Sequence, residues 1–451
     1  MTDAEISNAI FKIFTVQPLR LDQMNLYVPL DKFRGIAEKE TRGVVEKIAG
    51  YIQSAGKVAR FTAHVFAGHE GSGKSTELVR LKDLLETQSP KYFVVHCKAE
   101  EDIDRNDVDF PEVLIAIVRQ LAKQMKEREK ITLEPGYFKS RFKWWAEVFG
   151  SPVEFEKFDL SVLFLKISGA IKNSPSSREK VRKYMEPDTD NLLNAANDVI
   201  SKATQELVKK GYAGLVIVVD DLDKIIVKPI GDGKTDSDKH LFLNRAPQMT
   251  GLHCQMIYTM PLSLAYSHSQ QVKKAYSNRL PMIPMVKIRS QPPKAKDYKP
   301  GIAAMRHMID VRLKSANVPF EKVFQNDAVC NTLIKLSGGQ PTILMGMIPE
   351  ADISEGLPIT DVSLERIRRE NKRDFERILL FEDWEILEAI RRGGTFRRNV
   401  EAEERFRLLL ENRSLLQYVN EREWYGLNPF VELLDPPEGL DNNDSIPEKP
   451  E

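Results

Sequence analysis

In this chain of 451 residues, the segment Gly68-His69-Glu70-Gly71-Ser72-Gly73-Lys74-Ser75-Thr76 has the residue types and spacing to hold a chain of phosphates. It satisfies the pattern G-x-x-x-x-G-K-[ST] through Gly68, Gly73, Lys74 and Ser75. Glycines let the backbone turn tightly, so that successive N–H groups of Gly71, Ser72, Gly73 and Thr76 face phosphate oxygens. Lys74 adds a point charge at the β- and γ-phosphates, and the Ser75 hydroxyl is a ligand for Mg²⁺. A helix beginning at this point adds its positive end. Glu70 is out of keeping, because a carboxylate beside phosphates is unfavourable unless it points away. It is expected to face outward.

Such a loop needs an acidic partner for the metal. Val219-Asp220-Asp221-Leu222-Asp223 follows an apolar run and suits that task. Asp220 is expected to hold Mg²⁺ with Ser75. Asp221 takes the place of the carboxylate that polarises an attacking water. Asp223 is expected to orient a neighbour or to cap a helix.

These residues must sit at the ends of strands. Phe61–Ala67 reads as a strand feeding the glycine loop, and Thr76–Glu86 as the helix leaving it. Tyr92–Cys97 is a second strand. The near-continuous apolar run Leu215–Val219 has the pattern of a parallel strand buried on both faces. Gln255–Met260 and Met282–Ile288 complete five strands separated by helices, hence an open parallel α/β sheet. The strand between glycine loop and acidic strand points to the additional-strand class of P-loop NTPases. A guanine clamp is not presented: the literal match Asn371-Lys372-Arg373-Asp374 lies in a charged helical stretch with no apolar strand before it. ATP is therefore the expected nucleotide.

Five regions are expected. Residues 1–60 are mainly helical, with an extended stretch from Leu26 to Gly35. Residues 61–290 form the NTPase core, carrying a helical insertion over 131–190. Gln291–Pro300 reads as a linker opening a helical lid over 291–380. Residues 381–434 read as two helices and a hairpin, a winged-helix pattern. The tail 435–451, rich in acid, Pro and Asn, reads as disordered. Lys plus Arg (66) equals Asp plus Glu (66), so net charge gives no general case for nucleic-acid binding. The three cysteines are too widely spaced for a metal clip and read as neutral thiols in a reducing compartment. The N-terminus lacks the apolar core of a secretory signal, and no run is long enough to span a membrane, so a cytoplasmic chain is expected.

The strand–P-loop, the element Val218-Val219-Asp220-Asp221-Leu222-Asp223-Lys224 and a later Gly339-Gln340-Pro341 together resemble STAND-type ATPases, signal-transducing relatives of the AAA+ class. The acidic element resembles the KAP and NACHT-like branches. The order of core, lid and winged helix is similar to archaeal STAND and origin-recognition ATPases. The resemblance spans about residues 26–434. It implies that Val28 to Gly35 packs on adenine, that Thr259 senses the γ-phosphate and that Pro341 lies near base or ribose. Arg279 takes the place of an arginine finger reaching a neighbouring subunit. Thr342 stands where relatives often carry an Arg on the γ-phosphate, which implies slow hydrolysis and a nucleotide-held switch. The resemblance further implies a homo-oligomer or a separate effector chain, and a role in bacterial stress or anti-phage defence. A DNA-binding initiator or transposition helper is the alternative, with Arg391, Arg392, Arg397, Arg398, Arg405 and Arg407 as the basic cluster. A scaffold that binds nucleotide without hydrolysing it is the third reading.

Overall fold

The computed structural model describes residues 1–35, 42–133, 160–185, 189–231, 233, 235–277, 279–294, 296–393, 396 and 399–440. Helix α1 (Asp3–Ile13) starts at a reciprocal cap, in which the Glu5 N–H donates to Thr2 Oγ1 and the Thr2 N–H to Glu5 Oε2. Helix α2 (Val44–Lys57) leads to β1 (Ala63–Gly68), followed by α3 (Lys74–Thr87) and β2 (Tyr92–Lys98). Helix α4 (Phe110–Glu129) begins at the Asp109/Glu112 capping box with Pro111 in its first turn. Helices α5 (Leu160–Asn173), α6 (Pro175–Met185) and α7 (Thr189–Lys209) lead to β3 (Gly214–Asp220). Next come β4 (Gln255–Met260), the short α8 (Leu262–Ser267) and β5 (Met282–Ile283).

The five strands form one parallel sheet in the order β2-β3-β4-β1-β5. This is the strand order expected of the additional-strand P-loop fold, with β2 on the outer edge beside β3. Alternation divides its two faces. Val65, Phe93, Ile217 and Tyr258 point into the core packed by α4, α5 and α7. Phe66, Val94, Val218 and Ile257 point into the core packed by α2 and α3. Both faces being covered explains the uninterrupted apolar run in β3.

Beyond the sheet lie α9 (Lys299–Ser315), α10 (Asp327–Leu336), α11 (Pro341–Glu355) and α12 (Asp361–Ile378). Then α13 (Asp383–Arg391) and α14 (Val400–Glu411) precede an antiparallel hairpin of β6 (Leu415–Val419) and β7 (Glu423–Leu427). The core of α9–α12 also takes in Ile6, Ile10 and Phe14 from α1, so α1 belongs with this helical region while α2 packs on the sheet.

Two expectations are corrected. The strand expected over Met282–Ile288 ends at Ile283, because Pro284 has no N–H to continue the ladder. The next three amides leave the sheet and join three units: Met285 donates to Gln417 O (3.0 Å), Val286 to Gly339 O (3.1 Å) and Lys287 to Phe33 O (2.9 Å). Residues 291–300 do not form an extended tether. The chain folds back so that Arg289 bridges Asp297 and the Tyr298 N–H donates to Ile288 O at 2.8 Å, and α9 starts within the segment. Residues 134–159 of the expected insertion and the tail from 441 lie outside the described residues. No helix is long and apolar enough to cross a membrane among the described residues.

Candidate nucleotide site

The glycine loop leaves β1 at Gly68 and closes at Gly73, whose φ of 97° lies in the left-handed region that glycine tolerates. Lys74 opens α3 and is 5% exposed. Its ammonium donates to Gly68 O and His69 O, each at 2.7 Å, and pairs with Asp223 Oδ2 at 2.8 Å. Beneath the loop, Arg34 donates to Ser72 O at 2.7 Å and to Pro284 O. Burial lowers the Arg34 pKa, opposed by the nearby Glu77 and Asp31 carboxylates. Arg34 thus ties the loop to the segment that follows β5.

Asp220 ends β3 and is buried. Burial raises its pKa, but His96, Ser75 and the Asp221 N–H outweigh this and hold the carboxyl below its ordinary value. His96 Nε2 lies 3.4 Å from Asp220 Oδ2, and the Asp221 N–H donates to Oδ1 at 2.9 Å. An ionised carboxylate hydrogen-bonded to the Ser75 hydroxyl is the hard-oxygen donor set that suits Mg²⁺ shared with phosphates and water.

Asp221 was expected to face the reacting water, and the structure corrects this. Its backbone is left-handed (φ 67°) and its carboxylate pairs with Lys224 at 2.6 Å; like Asp220, it stands behind the residues that line the cavity above the loop. Burial and the neighbouring Asp220 raise its pKa. Asp223, in the helical turn Leu222–Lys224 after β3, and Glu100, in the short helix Ala99–Asp102 after β2, line that cavity. Thr259 is also absent from the lining. Its hydroxyl accepts the N–H of Leu222 at 2.9 Å and lies 3.4 Å from that of Asp223, so it shapes the loop carrying Asp223.

The cavity has a volume of about 290 Å³. Glu70, Gly71, Gly73, Lys74, Ser75 and Thr76 line it, so Glu70, though exposed, borders the cavity. Val28 and Pro341 both line it. Pro341 is the first residue of α11, reached through Gly339 (φ 76°), where a Cβ would stand 1.9 Å from Val286 O. The Thr342 N–H donates to Gly71 O at 3.3 Å, joining the helical region to the glycine loop.

Sequence reasoning missed part of this wall. Thr15 to Leu19 cross the cavity, and the Leu19 N–H donates to Thr76 Oγ1 at 3.3 Å. Arg34, Glu77, Met308, Arg312 and Met345 also line it. Only the Val28–Gly35 stretch had drawn attention to that region. Arg279 lies elsewhere. It is exposed and stacks on Tyr51 (3.4 Å), near Ser277, which bonds Ala63 O at the start of β1. That is about 16 Å of strand from Gly68.

His69 links the loop to the C-terminal unit. Its Nε2 accepts the Gln417 N–H at 2.9 Å, and the imidazole hydrogen-bonds the Leu410 backbone. Burial, then Lys74 and Arg413, push its pKa down to about 3. The arginines of the expected basic cluster are largely engaged. Arg391 pairs with Glu388 (2.8 Å), Arg405 with Asp383 (3.5 Å) and Arg407 with Asp236 (2.7 Å). Arg397 and Arg398 lie outside the described residues. Trp424 is buried and stacks on Tyr418 at 4.4 Å, as a core residue rather than a base-stacking one. Asn371 to Asp374 lie within α12, away from any strand end.

No protein-family model matches this chain, and no curated protein matches it in sequence. Solved structures similar to it include the Walker-type ATPase PABY2304 of Pyrococcus abyssi, 12% identical, covering 93% of this chain and 98% of that one with a TM-score of 0.44. The ORC2 protein of Aeropyrum pernix is 10% identical, covering 94% and 96%, with a TM-score of 0.41. Cdc6p of Pyrobaculum aerophilum is 10% identical, covering 94% and 95%, with a TM-score of 0.38.

Proposed function

We propose that this chain is an ATP-binding, slowly hydrolysing switch whose nucleotide state is read by its helical region and C-terminal unit. One observation carries the reading. The glycine loop is hydrogen-bonded directly to both units, through Gly71 O to Thr342 and through His69 to Gln417. A loop that rearranges around phosphates changes both contacts at once.

In this reading Lys74 and the loop amides hold the phosphates, and Ser75 and Asp220 hold Mg²⁺. When bound there, Mg²⁺ would supply charge neutralisation for the phosphoryl group. Asp223 and Glu100 are the carboxylates facing the phosphate end, so the water-orienting role falls to them in place of Asp221. Thr342 leaves the expected γ-phosphate arginine unsupplied, which favours slow turnover. The partners are a separate effector chain or further copies of this chain, for which Arg279 is exposed. Stress or defence signalling rests on the family resemblance alone. DNA binding through the C-terminal unit has less support, since Arg391, Arg405 and Arg407 are held in ion pairs.

The test is nucleotide binding and turnover by the protein and by Lys74→Ala. The variant is expected to lose ATP and ADP binding. The unaltered chain is expected to turn over well below the roughly 10 s⁻¹ typical of enzymes. Unchanged affinity in Lys74→Ala would overturn the site.

A further inference from the structure

We propose that Arg312 is the residue through which the helical region grips the nucleoside half of the ligand. The inference rests on reading the glycine loop as the phosphate site. Arg312 lies on α9 and is 5% exposed, yet it lines the cavity beside Leu26, Val28, Met308 and Met345. It donates to Met308 O of its own helix at 3.0 Å and reaches Leu26 O at 3.5 Å. No carboxylate stands within ion-pair distance among the described residues. The other buried arginines differ: Arg178 has Asp104 and Asp107, Arg289 has Glu432, Arg407 has Asp236, and Arg34 has Glu77 and Asp31 nearby. Burial alone pulls the Arg312 pKa down to about 10, with no acid to offset it.

A buried guanidinium without a counter-charge is costly, and natural interiors pair it. A guanidinium carries five N–H donors and no acceptor. Two backbone carbonyls leave donors over, and the cavity is where they open. The ligand is therefore expected to supply hydrogen-bond acceptors at this point. Arg312 and Lys74 share the cavity but no partner: Arg312 is held by Leu26 O and Met308 O, Lys74 by Gly68 O, His69 O and Asp223. The neighbours of Arg312 are Leu26 of the segment before β1 and the apolar side chains suited to a base. Ring nitrogens and ribose oxygens are the acceptors a nucleoside offers there. Because Arg312 also touches Leu26, its bond to the ligand would tie together α9 and the segment ending at Leu26.

The test is titration calorimetry of ADP, adenosine and inorganic pyrophosphate into the full chain and into Arg312→Met, Arg312→Lys and Lys74→Ala. Arg312→Met is expected to weaken ADP and adenosine by the same factor, about tenfold for one charge-assisted bond. Pyrophosphate affinity is expected to stay unchanged. Arg312→Lys keeps the charge but loses the fork, and is expected to fall between the two. The melting temperature of Arg312→Met without ligand is expected to equal or exceed that of the parent, since an unpaired buried charge is removed. Unchanged ADP affinity in both Arg312 variants overturns the proposal, as does a loss confined to ADP and pyrophosphate. A lowered melting temperature with unaltered affinity overturns it in favour of a structural role. Lys74→Ala reports on the phosphate site separately: if it binds pyrophosphate like the parent, the glycine-loop reading fails whatever Arg312 does.

Discussion

The Lys74 ammonium lies 2.8 Å from the Asp223 carboxylate, with both side chains buried. Two loop carbonyls take its remaining N–H groups. An ammonium has only three donors, so a phosphate oxygen reaches Lys74 only by displacing one of these acceptors. Asp223 is the one that lies outside the glycine loop, in the turn after β3, and it carries the like charge. The pair therefore sets β3 and the glycine loop against the incoming phosphate.

Replacing Asp223 by Asn keeps the shape and removes the charge. Pyrophosphate and ADP are expected to bind about fivefold more tightly, a gain on the order of 1 kcal/mol. The protein without nucleotide is expected to lose up to roughly 3 kcal/mol, because a buried cation has lost its counter-charge. Calorimetry and melting measure the two effects. Unaltered affinity together with unaltered stability would show that the pair does not compete with phosphate.

Thr259 gives a contrasting case. Its hydroxyl accepts the N–H of Leu222, close to that of Asp223, inside the core. Thr259→Val leaves a buried donor unsatisfied and is expected to cost about 1–3 kcal/mol. Thr259→Ser retains the acceptor and is expected to recover most of it. A γ-phosphate sensor would change ATP affinity selectively. A residue that shapes the Asp223 loop is expected to change ATP and ADP affinity together, and comparing the two nucleotides decides between them.

What was legible in the sequence follows from locality. The loop from Gly68 to Thr76 is a local pattern, and β3 announces itself because both sheet faces are covered. Asp220 was readable for the same reason, standing at the end of an apolar run. Asp221 was misplaced because adjacent acidic residues at a strand end differ only in backbone turn. The left-handed conformation of Asp221 swings its carboxylate to Lys224 and gives the cavity to Asp223. Arg34, Arg312 and the Thr15–Leu19 segment lie far along the chain from the loop. Only the packing of α1 against the helical region, through Ile6, Ile10 and Phe14, brings that segment over the cavity. The length of β5 was overestimated because apolar residues after Pro284 are buried for another reason: they thread between the N-terminal segment at Phe33, the helical region and the hairpin.

His69 makes the pH dependence of that threading testable. Its Nε2 must be unprotonated to accept the Gln417 N–H. With a folded pKa of about 3 against an ordinary value of 6.5, the unfolded chain takes up a proton in this interval and the folded one does not. The contribution to stability is thus full above pH 6.5 and is lost as pH falls from there toward 3. Between pH 7 and pH 5 the loss from this one group is about 2 kcal/mol. His64, whose pKa burial lowers to about 4, adds a slope of the same sign. Glu77 and Glu112, each raised to about 7 by burial, add slopes of the opposite sign. All three are shared by His69→Gln, so the difference between that variant and the parent isolates His69. The variant is expected to lose less stability than the parent over this range, and to show faster amide exchange at Gln417 at pH 7. Equal acid sensitivity of the two proteins would mean that the P-loop imidazole does not hold the hairpin.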